Sequence, residues 1–406
     1  MKRLVVCCDG TWKAESSSTV SNIIKIAQTI RFSAPGPRET PIQQWVTYVS
    51  GPGARGFLAD RMMGGAFGLG LEANLSSAYW HLALNWEPGD EIYIFGFSRG
   101  AYTARSLASL IGRIGIMTPE AMIDGKYPHA LAIHHQRPPA DGSIPSEWEK
   151  FRKENCQYPA KIDFLGVFDT VGALGVPGLT ALRHKFHDVK LSSNVYCARQ
   201  ALAIDERRRN FEPCLWQVPV EPDVKYRRGF PRVKQVWFEG VHSDVGGGYE
   251  ECGLSDLTLR WMVGEAESVG LVFDQDRLED LSQRCHAAGA KHMKRHGSLG
   301  PGYLILNLLR TLRNPRSDRF HLDSWRRLAG QRKRKAAVEN ETVAARTKRR
   351  FSGADSGIRL ASSVLDSPDY HPSNLERWRE EKFSGAFPED LFEKIKPVSA
   401  HQQSDG

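Results

Sequence analysis

The sequence predicts an α/β protein with a mostly parallel central sheet flanked by helices, and three observations carry that expectation. Short apolar, β-branched or aromatic runs end in turn residues, as buried strands do. The stretches between them are long and polar or helical, and two carry apolar residues at helical spacing. Strands separated by such connections pair in parallel through crossovers.

Taken in order, the first strand is expected over residues 3–8, and a weaker candidate follows over 44–49. Leu75, Ala78, Tyr79, Leu82 and Ala83 recur at helical spacing and predict an amphipathic helix over 74–84. A strand over 91–95 leads into a second such helix over 101–114, marked by Ala101, Ala104, Leu107, Ala108, Ile111 and Ile114. Further strands are expected over 162–168 and 233–239. The periodicity fades near residue 310, which divides the chain into a main domain (1–309), a basic helical or mobile segment (310–352) and a C-terminal segment with a disordered tail (353–406).

At 406 residues the chain fits one large α/β domain with insertions, and 41% hydrophobic with 25% charged residues excludes fibrous and wholly disordered classes. The net charge of +8 is local: residues 301–350 hold fourteen Lys and Arg against four acidic residues. That window is +10, so the other 356 residues sum to −2, and no nucleic-acid partner is expected. No run approaches the ~18 to 20 apolar residues of a membrane-spanning helix, and Asp9 interrupts the N-terminal apolar run too early for a secretory signal. A cytoplasmic location follows as the expectation, with export independent of a signal peptide as the alternative. Seven well-spread cysteines without a Cys-x-x-Cys pair predict reduced, structural thiols and no metal site.

The chemistry concentrates where Ile92-Tyr93-Ile94-Phe95 runs into Gly96-Phe97-Ser98-Arg99-Gly100, with the Ala101 helix directly behind. A Gly-x-Ser-x-Gly between strand and helix is the setting of a nucleophile elbow, which presents Ser98 at a helix N-terminus. A serine hydroxyl needs a base, and in this arrangement an acid and then a histidine follow downstream. Asp169 ends the 162–168 strand, and His242 follows the 233–239 strand in a glycine-rich loop. Both sit where open α/β sheets keep their sites. Asp244 is the alternative acid, whether orienting His242 or capping the following turn. An oxyanion hole is expected from the backbone N–H of Arg99 with a second from Gly10 or Thr11, in the turn after the first strand. Gly64, Gly65, Gly68 and Gly70 lack dinucleotide-loop spacing, and no cofactor is expected.

Several stretches together resemble the catalytic domain of type VI secretion phospholipase effectors and their uncharacterised bacterial and fungal relatives. They are Cys8-Asp9-Gly10-Thr11, Pro88-Gly89-Asp90 through Ser98-Arg99-Gly100-Ala101-Tyr102, Val167-Phe168-Asp169-Thr170, Ala201-Leu202-Ala203-Ile204-Asp205-Glu206 and Trp237-Phe238-Glu239-Gly240-Val241-His242. A short echo recurs at Tyr370-His371-Pro372-Ser373-Asn374. The resemblance implies an α/β-hydrolase fold, Ser98, Asp169 and His242 as a triad, and hydrolysis of lipid or phospholipid acyl esters. Soluble small esters are the alternative substrates, and a catalytically silent binding module is the alternative function. The basic segment adds the expectation of peripheral contact with an anionic membrane. Oligomeric state is not legible in the sequence.

Overall fold

Parallel pairing dominates the sheet. The computed structural model describes residues 1–10, 19–37, 40–51, 66–136, 139, 143–171, 191–208, 211, 213–216, 230–286, 294–298, 358–365 and 369–395. The strands are β1 (Lys2–Cys8), β2 (Ser33–Ala34), β3 (Ile42–Val49), β4 (Glu91–Phe97), β5 (Ile116–Met117), β6 (Cys156–Gln157), β7 (Ile162–Phe168), β8 (Val195–Ala203), β9 (Val233–Phe238), β10 (Ile358–Ala361) and β11 (Phe392–Glu393). Among the described residues a nine-stranded sheet runs β11-β10-β9-β8-β7-β4-β1-β3-β2, and β5 with β6 forms a separate pair. In the large sheet every pairing is parallel except the β2–β3 edge.

Alternation along β1 explains why its residues form a central strand. Leu4, Val6 and Cys8 enter the core on one face, and Val5 and Cys7 enter the core on the other. Burial on both faces is what a parallel strand requires, and each fully buried large apolar side chain contributes roughly 1.5–3 kcal/mol. One face is covered by α2 (Ala66–Asn85) and α3 (Arg99–Ile114). The other lies under α1 (Asn22–Thr29) and a helix over Gly253–Val269. The helix expected over 74–84 lies inside α2, and that expected over 101–114 begins two residues earlier.

The chain leaves β1 for β3 on one side and then returns to β4 on the other. The carboxyl ends of β1 and β4 therefore flank the point where strand order reverses, the place where open α/β sheets form a crevice. Described parts of the C-terminal segment, β10 and β11, join the same sheet. The basic 310–352 segment and the 396–406 tail lie outside the described residues. Among the described residues no helix is long and apolar enough to cross a membrane.

Cys7, Cys8, Cys156, Cys197 and Cys214 are free thiols, and burial pushes Cys8 up to about 12, with the Asp9 charge acting the same way. Cys252, in contrast, is disulfide-bonded, which corrects the expectation of reduced thiols at that position.

Candidate active site

Ser98 sits at the junction of β4 and α3 with φ 57° and ψ −118°, a backbone conformation that few side-chain-bearing residues adopt. Strain of this kind persists only where surrounding structure holds it, and here the two glycines make that structure fit. A β-carbon on Gly96 would lie 2.6 Å from Ala101 Cα, and one on Gly100 would lie 2.2 Å from the Cys8 carbonyl oxygen. Only glycine lets β4 turn so sharply into α3 and lets α3 start this close to the end of β1. The Ser98 N–H is held by the Phe168 carbonyl at 3.1 Å, which ties the turn to the end of β7.

Asp169 follows β7 directly, also with positive φ (39°), and is fully buried. Its Oδ2 lies 2.5 Å from His242 Nδ1, and its Oδ1 accepts the Ala203 N–H at 3.2 Å. Because an ionised carboxylate only accepts, this contact assigns the proton to Nδ1 and leaves Nε2 as the basic nitrogen. His242 was expected in a loop; it instead opens a short helix, α4 (His242–Gly246), just past β9. Its ring is packed between Phe97 (centroids 4.7 Å apart) and Phe211 (4.8 Å, edge-on). Burial pushes the His242 pKa below its ordinary value, and the bond to Asp169 pulls it back up. Arg208 adds to the lowering and Glu206 opposes it.

Asp244 is engaged elsewhere. Its carboxylate accepts the Val241 N–H at 2.9 Å, which caps α4, and meets His296 Nδ1 at 2.6 Å. On the opposite wall, a β-carbon on Gly10 would come within 3.3 Å of Ser98 Cβ, so the turn after β1 lies against the serine. The Gly10 N–H, however, is donated to Asp9 Oδ1 at 2.6 Å. Asp9 Oδ2 accepts from Ser21 Oγ at 2.7 Å and Tyr48 Oη at 2.8 Å. Thr11 lies outside the described residues, whereas Arg99 opens α3 immediately after the serine.

Two further groups hold the histidine and were not singled out from the sequence. Glu206 Oε2 accepts the His242 backbone N–H at 3.3 Å, and Arg208 binds both oxygens of Glu206 at 2.9 and 2.8 Å. The Arg208 guanidinium lies 3.6 Å over the Phe211 ring. The available signal was the family-like stretch Ala201 to Glu206, in which the sequence assigns Glu206 no role.

A strained serine on a strand-to-helix turn, beside a buried carboxylate–imidazole pair at the carboxyl ends of parallel strands, defines an α/β-hydrolase-like protein. Within that class, the chain belongs to the family described as type VI secretion system phospholipase effector Tle1-like, catalytic domain, whose model matches residues 2–265. It is similar to an uncharacterised protein of Saccharomyces cerevisiae, 24% identical over 430 residues, covering 73% of this chain and 61% of that protein. The chain thus spans about three fifths of the length of that curated relative. Among solved structures, it overlaps the Tle1 effector bound to the VgrG spike of the type VI secretion system at 20% identity and TM-score 0.36, over 61% of this chain and 51% of that one. An uncharacterised protein from Pseudomonas aeruginosa overlaps at 17% identity and TM-score 0.35, over 98% of this chain and 65% of that one.

Proposed function

We propose that this chain is a serine ester hydrolase that acts on lipid or phospholipid acyl esters through Ser98, His242 and Asp169. The observation that carries this reading is the strained Ser98 turn at the end of β4 together with the 2.5 Å His242–Asp169 contact between the ends of β9 and β7. Phe97 connects the two halves, since it precedes Ser98 in the chain and packs on the His242 ring.

In this mechanism the Ser98 hydroxyl oxygen attacks the acyl carbonyl carbon while His242 Nε2 takes the hydroxyl proton. Asp169 holds the Nδ1–H tautomer and stabilises the imidazolium that forms. Negative charge on the carbonyl oxygen is received at the N-terminus of α3, with the Arg99 N–H as first donor. The tetrahedral intermediate collapses, the ester C–O bond breaks, and His242 returns the proton to the departing alcohol. Water, deprotonated by the same imidazole, then releases the fatty acid from Ser98. The lipid step rests on membership in a phospholipase effector family. The chemistry of the site requires only an ester.

The test is incubation of wild type and Ser98→Ala with a bacterial lipid extract, reading fatty acids and lysolipids by mass spectrometry. Serine-dependent lysolipid is the expected result. Turnover of short soluble esters with untouched phospholipid would remove the lipid assignment, and equal turnover by Ser98→Ala would remove the mechanism.

A further inference from the structure

The family match ends at residue 265, yet a segment more than a hundred residues further on reaches the support of His242. Tyr370 precedes the helix Ser373–Phe383, and its side chain is buried in the same core as Phe97, Trp237 and Val245. Its hydroxyl lies 2.9 Å from both carboxylate oxygens of Asp205. Asp205 Oδ2 in turn accepts the Gly240 N–H at 2.6 Å, and the Asp205 N–H is donated to the Gly240 carbonyl at 3.0 Å. Gly240 adopts φ 96°, and a β-carbon there would lie 2.5 Å from Asp244 Cβ, so only glycine fits two residues before His242.

We propose that Tyr370, acting through Asp205 and Gly240, is a positioning residue for His242, so that the C-terminal segment completes the active site. This rests on the ester-hydrolase reading for its kinetic consequence, though not for its geometry. Three contacts add to the hydroxyl bond. Asn374 Nδ2 donates to the Ile204 carbonyl at 2.9 Å, which fixes the residue before Asp205. The Arg295 guanidinium lies 4.8 Å over the Tyr370 ring and 3.6 Å from Glu239, the residue before Gly240. Leu375 and Trp378 enter the same core and anchor the helix behind Tyr370. Strand β9 therefore delivers His242 through a Glu239-Gly240-Val241 turn held from the outside by the C-terminal segment.

The physical consequence follows from the tolerance of proton transfer to geometry. A displacement of about 1 Å of a reacting group costs up to about a hundredfold in rate. Removing the Tyr370 hydroxyl leaves the Asp205 carboxylate with the Gly240 N–H as its hydrogen-bond partner among the described residues and loosens the turn before His242.

The experiment compares wild type, Tyr370→Phe, Asp205→Asn and Asp205→Ala in the full chain, with a short acyl ester as substrate. Tyr370→Phe keeps the ring and the packing, and Asp205→Asn keeps an acceptor, so both should fold if Asp205→Ala does not. The expected result is a kcat fall of about tenfold to a hundredfold for Tyr370→Phe with KM within about twofold of wild type, and a smaller loss for Asp205→Asn. The second readout is the far-downfield proton resonance of His242 Nδ1–H, which should broaden or vanish in Tyr370→Phe. Unchanged kcat together with an unchanged resonance would overturn the proposal, even if Tyr370→Phe lowers thermal stability. If wild type shows no serine-dependent turnover, the hydrolase reading fails, and the resonance alone then decides whether Tyr370 positions His242.

Discussion

Phe97 and His242 pack with ring centroids 4.7 Å apart and their planes tilted by 32°, so the residue before the serine also supports the imidazole. The same ring fills the space beside Gly246, where a β-carbon would approach Phe97 Cε2 to 1.9 Å. Strand β4 and helix α4 are thereby registered to each other by one aromatic side chain.

Gly246→Ala should move α4 away from Phe97 and cost about 1–3 kcal/mol, as overpacking of a tight core does. Thermal denaturation should show a lowered Tm, and kcat should fall with it. A variant of wild-type stability and rate would mean that the contact carries no positional information.

The acid assignment has a sharp test. Asp169→Asn should cost on the order of 10⁴ in kcat, because the amide no longer enforces the Nδ1–H tautomer or stabilises the imidazolium. Asp244→Asn keeps an oxygen that can accept the Val241 N–H and loses only the charged partner of His296, so its effect should be a small change in stability with kcat little altered. The reverse ranking of the two kcat values would hand the role to Asp244.

Burial lowers the His242 pKa, so the base stays neutral to a pH below the ordinary imidazole value of about 6.5. The acid limb of kcat/KM should accordingly fall off below that value. Stability carries the same sign: from about 6.5 downward to the folded pKa, the unfolded chain binds a proton that the folded site resists, so ΔG of unfolding decreases as pH falls. An acid limb centred above 6.5 would contradict the dominance of burial.

Deleting residues 331–350 removes a run of basic side chains, each worth roughly 1 kcal/mol of attraction to an anionic bilayer when well placed. Co-sedimentation with phosphatidylglycerol vesicles should weaken at low salt while turnover of a soluble ester is unchanged. Equal vesicle binding by the deletion variant would assign that segment another purpose.

Legibility of the fold tracked how purely each strand displays burial. Strand β7 (IDFLGVF) is buried throughout and mainly apolar, and its ends coincide with the turn signals around it. Strand β8 was missed because its centre holds Arg199 and Gln200, residues that read as solvent-facing. Arg199 is fully buried yet ion-paired with Glu265, and Gln200 Nε2 donates to the Cys214 carbonyl at 3.2 Å. Buried polar groups of this kind are paid for by partners distant in sequence, which a local pattern cannot display. The site followed the same division. Ser98 announces itself through the glycines that its own turn demands, whereas Glu206 and Tyr370, though they stand in family-like stretches, gain a role from contacts across 36 and 165 residues.

Strand β10 pairs with β9 in the register Ile358↔Gln235, roughly 120 residues apart in the chain. A ribosome adding about 5–20 residues per second therefore emits β9 some 6 to 24 s before its neighbour exists. During that interval β9 is a bare edge with unpaired backbone groups, open to pairing with other nascent chains. The strand that leads to His242 thus gains its outer neighbour only after more than a hundred further residues have been made.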